Sequence, residues 1–172
     1  MRFWRSFYLK SIEVANDNEY YTSVDGVLYN KDKTILMQYP KRKTNTTFSI
    51  PSTVVQINYK AFNFCSYIEN IIIPSSITNL EKYSFDATYN LTTATIESAY
   101  VYNNSFVYNT ALNRYLVHDS KLLEYPTTIH VLASIVDDSN NGNAYLNDTS
   151  KYSKSAKVTI GEKEYYTFTK IS

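Results

Sequence analysis

The chain repeats itself at a fixed spacing between about residue 48 and residue 96, and this period limits what it can fold into. The tripeptide Ile-Pro-Ser at 50–52 returns at 73–75, and the apolar positions that follow keep the same phase. The matched positions are Phe48 with Ile71, Val54 with Ile77, Ile57 with Leu80, Phe62 with Phe85 and Ile68 with Leu91. A fixed period of this size indicates structural units that each bury an apolar face against the neighbouring unit.

Each unit contains one short strand. In the run at 68–73, Ile71 and Ile73 lie on one face of an extended chain and Ile72 on the other, and Pro74 ends the strand. We therefore predict a mainly β fold with short helical turns: a solenoid of 23-residue coils whose strands lie side by side in parallel. The coils are 48–70 and 71–93, and residues 9–14 and 91–96 supply the strands of two others.

The rest of the chain is predicted to interrupt or end this solenoid. Hairpin inserts are expected at 16–43 and at about 99–126, both ending in or just after Tyr-Pro. An Asn-, Asp- and Ser-rich polar loop is expected at 137–155, followed by a terminal hairpin at 156–172. Because the first residues match the middle of a repeat, residues 1–172 are predicted to be one solenoid domain that is a fragment of a longer array.

Composition excludes several classes of function. The chain has 17 Lys and Arg against 16 Asp and Glu, so no net charge draws it to nucleic acid or to an acidic membrane. Three glycines argue against phosphate-binding loops, and one cysteine excludes an intrachain disulfide and a multi-cysteine zinc site. No apolar run is long enough for a membrane span or a signal peptide.

Two motifs resemble a known family. The pattern Ile-Pro-Ser-x-Val/Ile-x-x-Ile/Leu, followed by Ala-Phe-x-x-Cys at 61–65, resembles the BspA-like leucine-rich repeats. The run at 23–40, from Ser-x-Asp-Gly-Val-Leu-Tyr to Tyr-Pro, resembles a hairpin insert common in that family. The resemblance implies a leucine-rich-repeat solenoid from a surface or secreted protein. It also implies adhesion to a protein partner, such as a host surface or extracellular-matrix protein.

We predict a non-enzymatic protein-binding or cell-adhesion module with no cofactor and no metal. The candidate binding face is the outward side of the strands, formed by Glu13, Ser49, Ile72 and Thr95, where an aliphatic side chain has polar neighbours. One alternative is a structural spacer of a larger repeat protein with no ligand of its own. Another is an enzyme.

An enzyme or a metal site would need other residues. Cys65 with His118 or His130 could form a thiol–base pair, but a small apolar core position is the expected role of Cys65. Asp137 and Asp138, with the asparagines at 140, 141 and 143, offer oxygen ligands but not the spacing of a calcium loop.

Two further motifs carry simpler interpretations. The basic run Lys-Arg-Lys at 41–43 could meet phosphate or heparin, and a solvated turn is the expected role. Asn45, Asn90, Asn103 and Asn147 begin Asn-x-Ser/Thr acceptor patterns, several of which arise by chance in so polar a chain.

Overall fold

The computed structural model describes residues 6–104, 122, 126–139, 146 and 149–171. The fold is mainly β, and its two described helices are short. Most of the second predicted insert, at 105–121 and 123–125, lies outside the described residues; its start is helix α1. The elements are β1 (Tyr21–Val24), β2 (Val27–Asn30), β3 (Ile35–Gln38), β4 (Thr47–Ser49), β5 (Gln56–Ile57), β6 (Asn70–Ile73), β7 (Asn79–Leu80), β8 (Thr93–Ile96), α1 (Ala99–Asn104), β9 (Thr128–Leu132), α2 (Ala133–Val136), β10 (Tyr152–Ile160) and β11 (Lys163–Lys170).

The strands form two sheets, and both are mixed. The six-stranded sheet has the order β10-β11-β9-β8-β6-β4, and the five-stranded sheet has the order β1-β2-β3-β5-β7. Strands β4, β6, β8 and β9 pair in parallel, whereas β11 and β10 join antiparallel. In the parallel part Phe48 pairs with Ile71 and Ile71 with Ala94, so each pairing is offset by one sequence repeat.

The core lies between the two sheets and is built from the phased apolar positions. Ile71, Ile73, Ala94 and Ile96 are buried, while the residues between them are partly exposed. The rings of Phe62 and Phe85 stack 4.7 Å apart at an interplanar angle of 6°. Burial of the same face in successive strands is what alternation in an extended chain requires.

Tyr39 is a third member of this ring stack. It lies one sequence repeat before Phe62, its ring centroid is 5.3 Å from that of Phe62, and it is fully buried. Its backbone N–H donates to Ala61 O at 2.8 Å, as the N–H of Phe62 donates to Ser84 O at 2.7 Å. The sequence pattern places Tyr39 only at the end of the hairpin insert, so the stack begins one unit earlier than that pattern indicates.

Residues 16–43 form a three-stranded antiparallel meander rather than a two-stranded hairpin. The added strand is β1, which pairs with β2 across the Asp25-Gly26 turn, where both residues have positive φ. β3 then pairs in parallel with β5, so the insert is part of the five-stranded sheet. The short strands β5 and β7 continue that sheet and are not predicted from the sequence.

The prediction of a strand at 9–14 is wrong. These residues do not form a strand and do not pair with β4. They run along the meander instead: the N–H of Ile12 donates to Gly26 O at 2.9 Å, and the N–H of Val14 donates to Ser23 Oγ at 3.0 Å. The meander competes for the hydrogen bonds that a coil strand would have given to β4.

The C-terminal part ends in the hairpin β10–β11, which begins at Tyr152, inside the predicted loop at 137–155. Residues 140–145 and 147–148 of that loop lie outside the described residues. The hairpin is more than a cap, because β11 pairs with β9 along five residues and Phe168 is buried. Within the described part of the chain, no helix is long and apolar enough to cross a membrane.

Candidate binding face

The six-stranded sheet presents a face whose side chains point away from the core. Pairing across β4, β6, β8, β9 and β11 aligns these side chains in two rows, which we call the outer face. One row is Thr47, Asn70, Thr93, Thr128 and Thr169, and the other is Ser49, Ile72, Thr95, His130 and Thr167. Most of these side chains carry a hydroxyl, and none of them belongs to Asp, Glu, Lys or Arg. The outer face is therefore polar and hydrogen-bonding rather than charged.

The structure brings three of the four predicted face residues together. Ser49 pairs with Ile72, and Ile72 pairs with Thr95. Ile72 and Thr95 are half-buried and Ser49 is exposed. Glu13 is exposed but lies outside the strands, and its carboxylate accepts a hydrogen bond from Ser11 Oγ at 2.7 Å.

His130 belongs to the outer face, and sequence reasoning missed it as a face residue. It lies between Thr95 and Thr167, and its Nδ1 is 3.0 Å from Thr167 Oγ1. Burial lowers the pKa of His130 below its ordinary value, because desolvation disfavours the charged ring. Thr93 pairs with Thr128, so the offset between β8 and β9 is longer than the sequence repeat. Because the period is interrupted there, the repeat does not align His130 with Thr95.

Glu97 lies at the rim of the outer face, one residue beyond β8. Its carboxylate accepts hydrogen bonds from Lys163 Nζ and from Tyr165 Oη, both at 2.7 Å. Burial alone would raise the pKa of Glu97, but these two hydrogen bonds outweigh it and lower that pKa. The contacts join the end of β8 to β11 and hold the C-terminal hairpin on the sheet.

Loss of this carboxylate is expected to loosen the hairpin in a pH-dependent way. Because the pKa of Glu97 is lower in the folded state, its contribution to stability is present above the unfolded value of about 4.3. That contribution is lost as pH falls through the lower folded pKa. Glu97→Gln should therefore melt below wild type at pH 7, and the difference should shrink at a pH well below the unfolded value. Thermal unfolding monitored by circular dichroism checks this, and an equal difference at both pH values would contradict it.

Among the residues considered for catalysis and metal binding, those that the structure describes do not come together as a site. Cys65 is buried in the core, its Sγ lies 3.7 Å from Tyr39 O, and burial raises the pKa of the thiol. His118 lies outside the described residues, as do the asparagines at 140, 141 and 143. The Asp137 carboxylate is already paired, with Lys157 Nζ at 2.7 Å and with Tyr166 Oη at 2.9 Å. Among the residues that the structure describes, no group of three His, Cys, Asp or Glu side chains could hold a metal ion.

The basic run at 41–43 begins in a turn, as the sequence suggests, and Arg42 is exposed, but Lys41 is not solvated. Lys41 is only 3% exposed, and its ammonium lies 4.3 Å from the ring centroid of Phe7 and 5.4 Å from that of Phe64. Burial lowers the pKa of Lys41. Arg42 lies over the ring of Tyr8 at 5.8 Å. These cation–π contacts hold Phe7 and Tyr8 against the residues that follow Pro40, and nothing in the sequence spacing marks them.

A family model matches just over half of the chain. The model described as BspA type leucine rich repeat region matches residues 37–125, in six copies. A comparison with curated proteins finds no match.

Three solved structures are similar to parts of the chain. A leucine-rich repeat protein from Eubacterium ventriosum is 28% identical, with 55% of this chain and 32% of that chain covered and a TM-score of 0.46. A leucine rich cell surface protein from Faecalibacterium prausnitzii is 25% identical, with coverage of 52% and 30% and a TM-score of 0.45. The pneumococcal vaccine antigen PcpA is 22% identical, with coverage of 54% and 34% and a TM-score of 0.41. The chain spans about a third of the length of each.

Proposed function

The chain belongs to the BspA type leucine rich repeat family, and from that premise we propose that it is a non-enzymatic protein-binding module of the adhesion type. The binding surface is the outer face, and its partner is a protein on a host surface or in an extracellular matrix. The module acts at the cell surface or after secretion, where such partners are met. Its described residues belong to one stretch of a leucine-rich-repeat solenoid, with the insert at 16–43 and the terminal hairpin as parts of the same domain.

The observation that carries this proposal is the alignment of Ser49, Ile72 and Thr95 across neighbouring strands. A half-buried aliphatic side chain is set among hydroxyls that can donate and accept. An apolar centre inside a polar rim is the usual build of a protein interface. The strands that carry these side chains are joined by backbone hydrogen bonds, so little conformational entropy is lost on docking.

Ile72→Glu is expected to weaken partner binding while leaving the fold intact. The side chain of Ile72 points away from the core, so the free energy of unfolding should change by less than about 1 kcal/mol. A carboxylate at the centre of an interface should cost binding about tenfold or more, because it must be desolvated without a partner. The measurement is binding of the purified chain to immobilised extracellular-matrix proteins, with melting temperature recorded in parallel.

Val55→Glu is the matched control for this test. Val55 is also aliphatic and 41% exposed, but it lies outside the outer face. It should bind like wild type. Equal losses in both variants would remove the outer face as the binding surface, and unfolding of the Ile72 variant would mean that the face was assigned to the wrong side. Absence of binding to every matrix protein would favour the spacer alternative.

A further inference from the structure

The six-stranded sheet has an open edge at β4. The residues on either side of β4 bond to β6: Thr46 O accepts from the N–H of Asn70 at 2.9 Å, and the N–H of Ile50 donates to Ile72 O at 3.1 Å. The backbone groups of Thr47 and Ser49 point to the other side, as the alternation of a strand requires. β4 is the last strand of the sheet in the described part of the chain. An edge of this kind is a template for one more strand.

A cleft of about 700 Å³ lies beside this edge, and its other wall is the segment at 11–13. The wall is formed by Ser11 and Glu13, in the stretch where the sequence predicts a strand. Gly26 holds this segment away from β4, because its carbonyl accepts from Ile12 and its Cα hydrogens face Ser11, whose Cα lies 3.2 Å from the place a Cβ would take. The segment at 11–13 and Phe48 of β4 thus line the same cleft.

The floor and the rim of the cleft have different chemistry. Phe48 lines the cleft and is half-buried, whereas Ile71 and Ala94, which follow it across the sheet, are 1% and 0% exposed. The core therefore ends in an aromatic ring that is not fully covered. At the rim, Glu13 and Asp25 are exposed acidic residues, and Lys43 donates to Asp25 O at 2.6 Å. The cleft combines an apolar floor with a mouth that carries two exposed carboxylates and one ammonium, that of Lys43, which the Asp25 carbonyl holds.

We propose that this cleft binds an extended peptide that adds to β4 as a further strand, with alternating apolar and basic side chains. The apolar side chains face inward and cover Phe48. The basic side chains face outward beside Glu13 and Asp25. Backbone groups of the peptide pair with Thr47 and Ser49 on one side and with the segment at 11–13 on the other. Strand addition to a sheet edge takes its affinity from main-chain bonds and its selectivity from alternate side chains.

The opposite edge of the sheet is a poorer template. β10 carries a bulge between Lys154 and Lys157, and both lysines lie on or beside the Tyr166 ring. Bulges and lysines are the features by which proteins protect edge strands. β4 has neither feature, and a shielded edge opposite an open one points to β4 as the site of strand addition.

The test uses the whole chain and a fluorescent synthetic peptide, acetyl-Thr-Lys-Val-Lys-Val-Lys-Thr-amide, with binding measured by anisotropy at low salt. Three comparison peptides carry glutamate in place of lysine, N-methyl groups on the valine amides, or N-methyl groups on the lysine amides. Because the proposed strand pairs on both sides, each methylated peptide should bind at least about tenfold more weakly. The glutamate peptide should also bind more weakly than the lysine peptide. Equal binding of methylated and unmethylated peptides would overturn the proposal.

Two protein variants locate the site. Ser49→Pro removes an N–H that faces the cleft and should abolish binding, while Ser49→Thr keeps that N–H and should bind normally. Glu13→Lys should weaken binding of the lysine peptide by about two- to fivefold and strengthen binding of the glutamate peptide. This reversal of charge preference is measured in the Glu13 variant alone, so it tests the site even if Ser49→Pro does not fold. An unchanged preference between the two peptides in Glu13→Lys would overturn the proposal. So would sedimentation data showing that the chain forms a dimer that does not bind the peptide.

The edge site and the outer face can be tested independently. Ile72→Thr should leave peptide affinity unchanged within about twofold, because it adds no charge and Ile72 lies one strand away from the cleft. Loss of peptide binding in that variant would assign the peptide to the outer face and overturn the edge site.

Discussion

Replacing Phe62 or Phe85 with alanine is expected to lower the free energy of unfolding by about 3–5 kcal/mol in each case. Both rings are buried, at 0% and 1% exposure, and they stack on each other at 4.7 Å. Truncation of either ring leaves a cavity in the Tyr39–Phe62–Phe85 stack, which backbone bonds on both sides keep from collapsing. Urea unfolding at room temperature measures the effect.

Phe64→Ala is the matched control for these two variants. Phe64 follows Phe62 in the same turn, but it is 42% exposed and contacts only the N-terminal ring of Phe7 and the Lys41 ammonium among aromatic and cationic partners described here. Its loss should cost less than half as much. Near-wild-type stability of both core variants would mean that the rings do not fill a shared core, and the proposed stacking of repeats would be wrong.

Ser84→Ala and Tyr39→Phe are expected to stabilise the protein by about 1–2 kcal/mol each. Both hydroxyls are buried without a hydrogen-bond partner among the described residues. In the unfolded chain each hydroxyl forms hydrogen bonds with water. Folding removes these bonds, and no hydrogen bond in the core replaces them. Burial also raises the pKa of Tyr39, in keeping with an apolar setting for its hydroxyl. Chemical denaturation curves for the two variants check the sign.

Ser98→Ala provides a control of opposite sign. Ser98 is as buried as Ser84, but its hydroxyl donates to Ile77 O at 2.6 Å and accepts from the N–H of Val101 at 3.1 Å. Its removal should destabilise the protein by about 1–3 kcal/mol, because it takes two hydrogen bonds from a buried position. If Ser84→Ala destabilises the protein as much as Ser98→Ala does, the Ser84 hydroxyl has a partner in solution.

Sequence reasoning was most reliable where the period of the repeat was unbroken. The pairings of Phe48 with Ile71 and of Ile71 with Ala94, and the contact of Phe62 with Phe85, follow from phase alone. The same phase matches Ala61 in one unit with Ser84 in the next. In the second unit this position carries the Ser84 hydroxyl, which is buried without a hydrogen-bond partner among the described residues. Only the structure shows that burial.

The same reasoning failed where two local patterns competed. Residues 9–14 have the apolar phase of a coil strand, yet they hydrogen-bond to the Gly26 turn because the meander offers them backbone partners. Tyr39 looks like the end of the insert because Pro40 follows it, although its ring belongs to the core stack. His130 enters the outer face only after an insertion that lengthens the offset between paired strands.

What the sequence determined by itself is the set of side chains that must share a core, because a repeated apolar phase can be buried only when equivalent positions lie next to each other. The tertiary structure decided which backbone edges stay open and which cations, such as Lys41, lie on aromatic rings. Those outcomes depend on contacts between segments of unrelated sequence, and the hydrogen bonds and cation–π contacts involved carry no periodic signal along the chain.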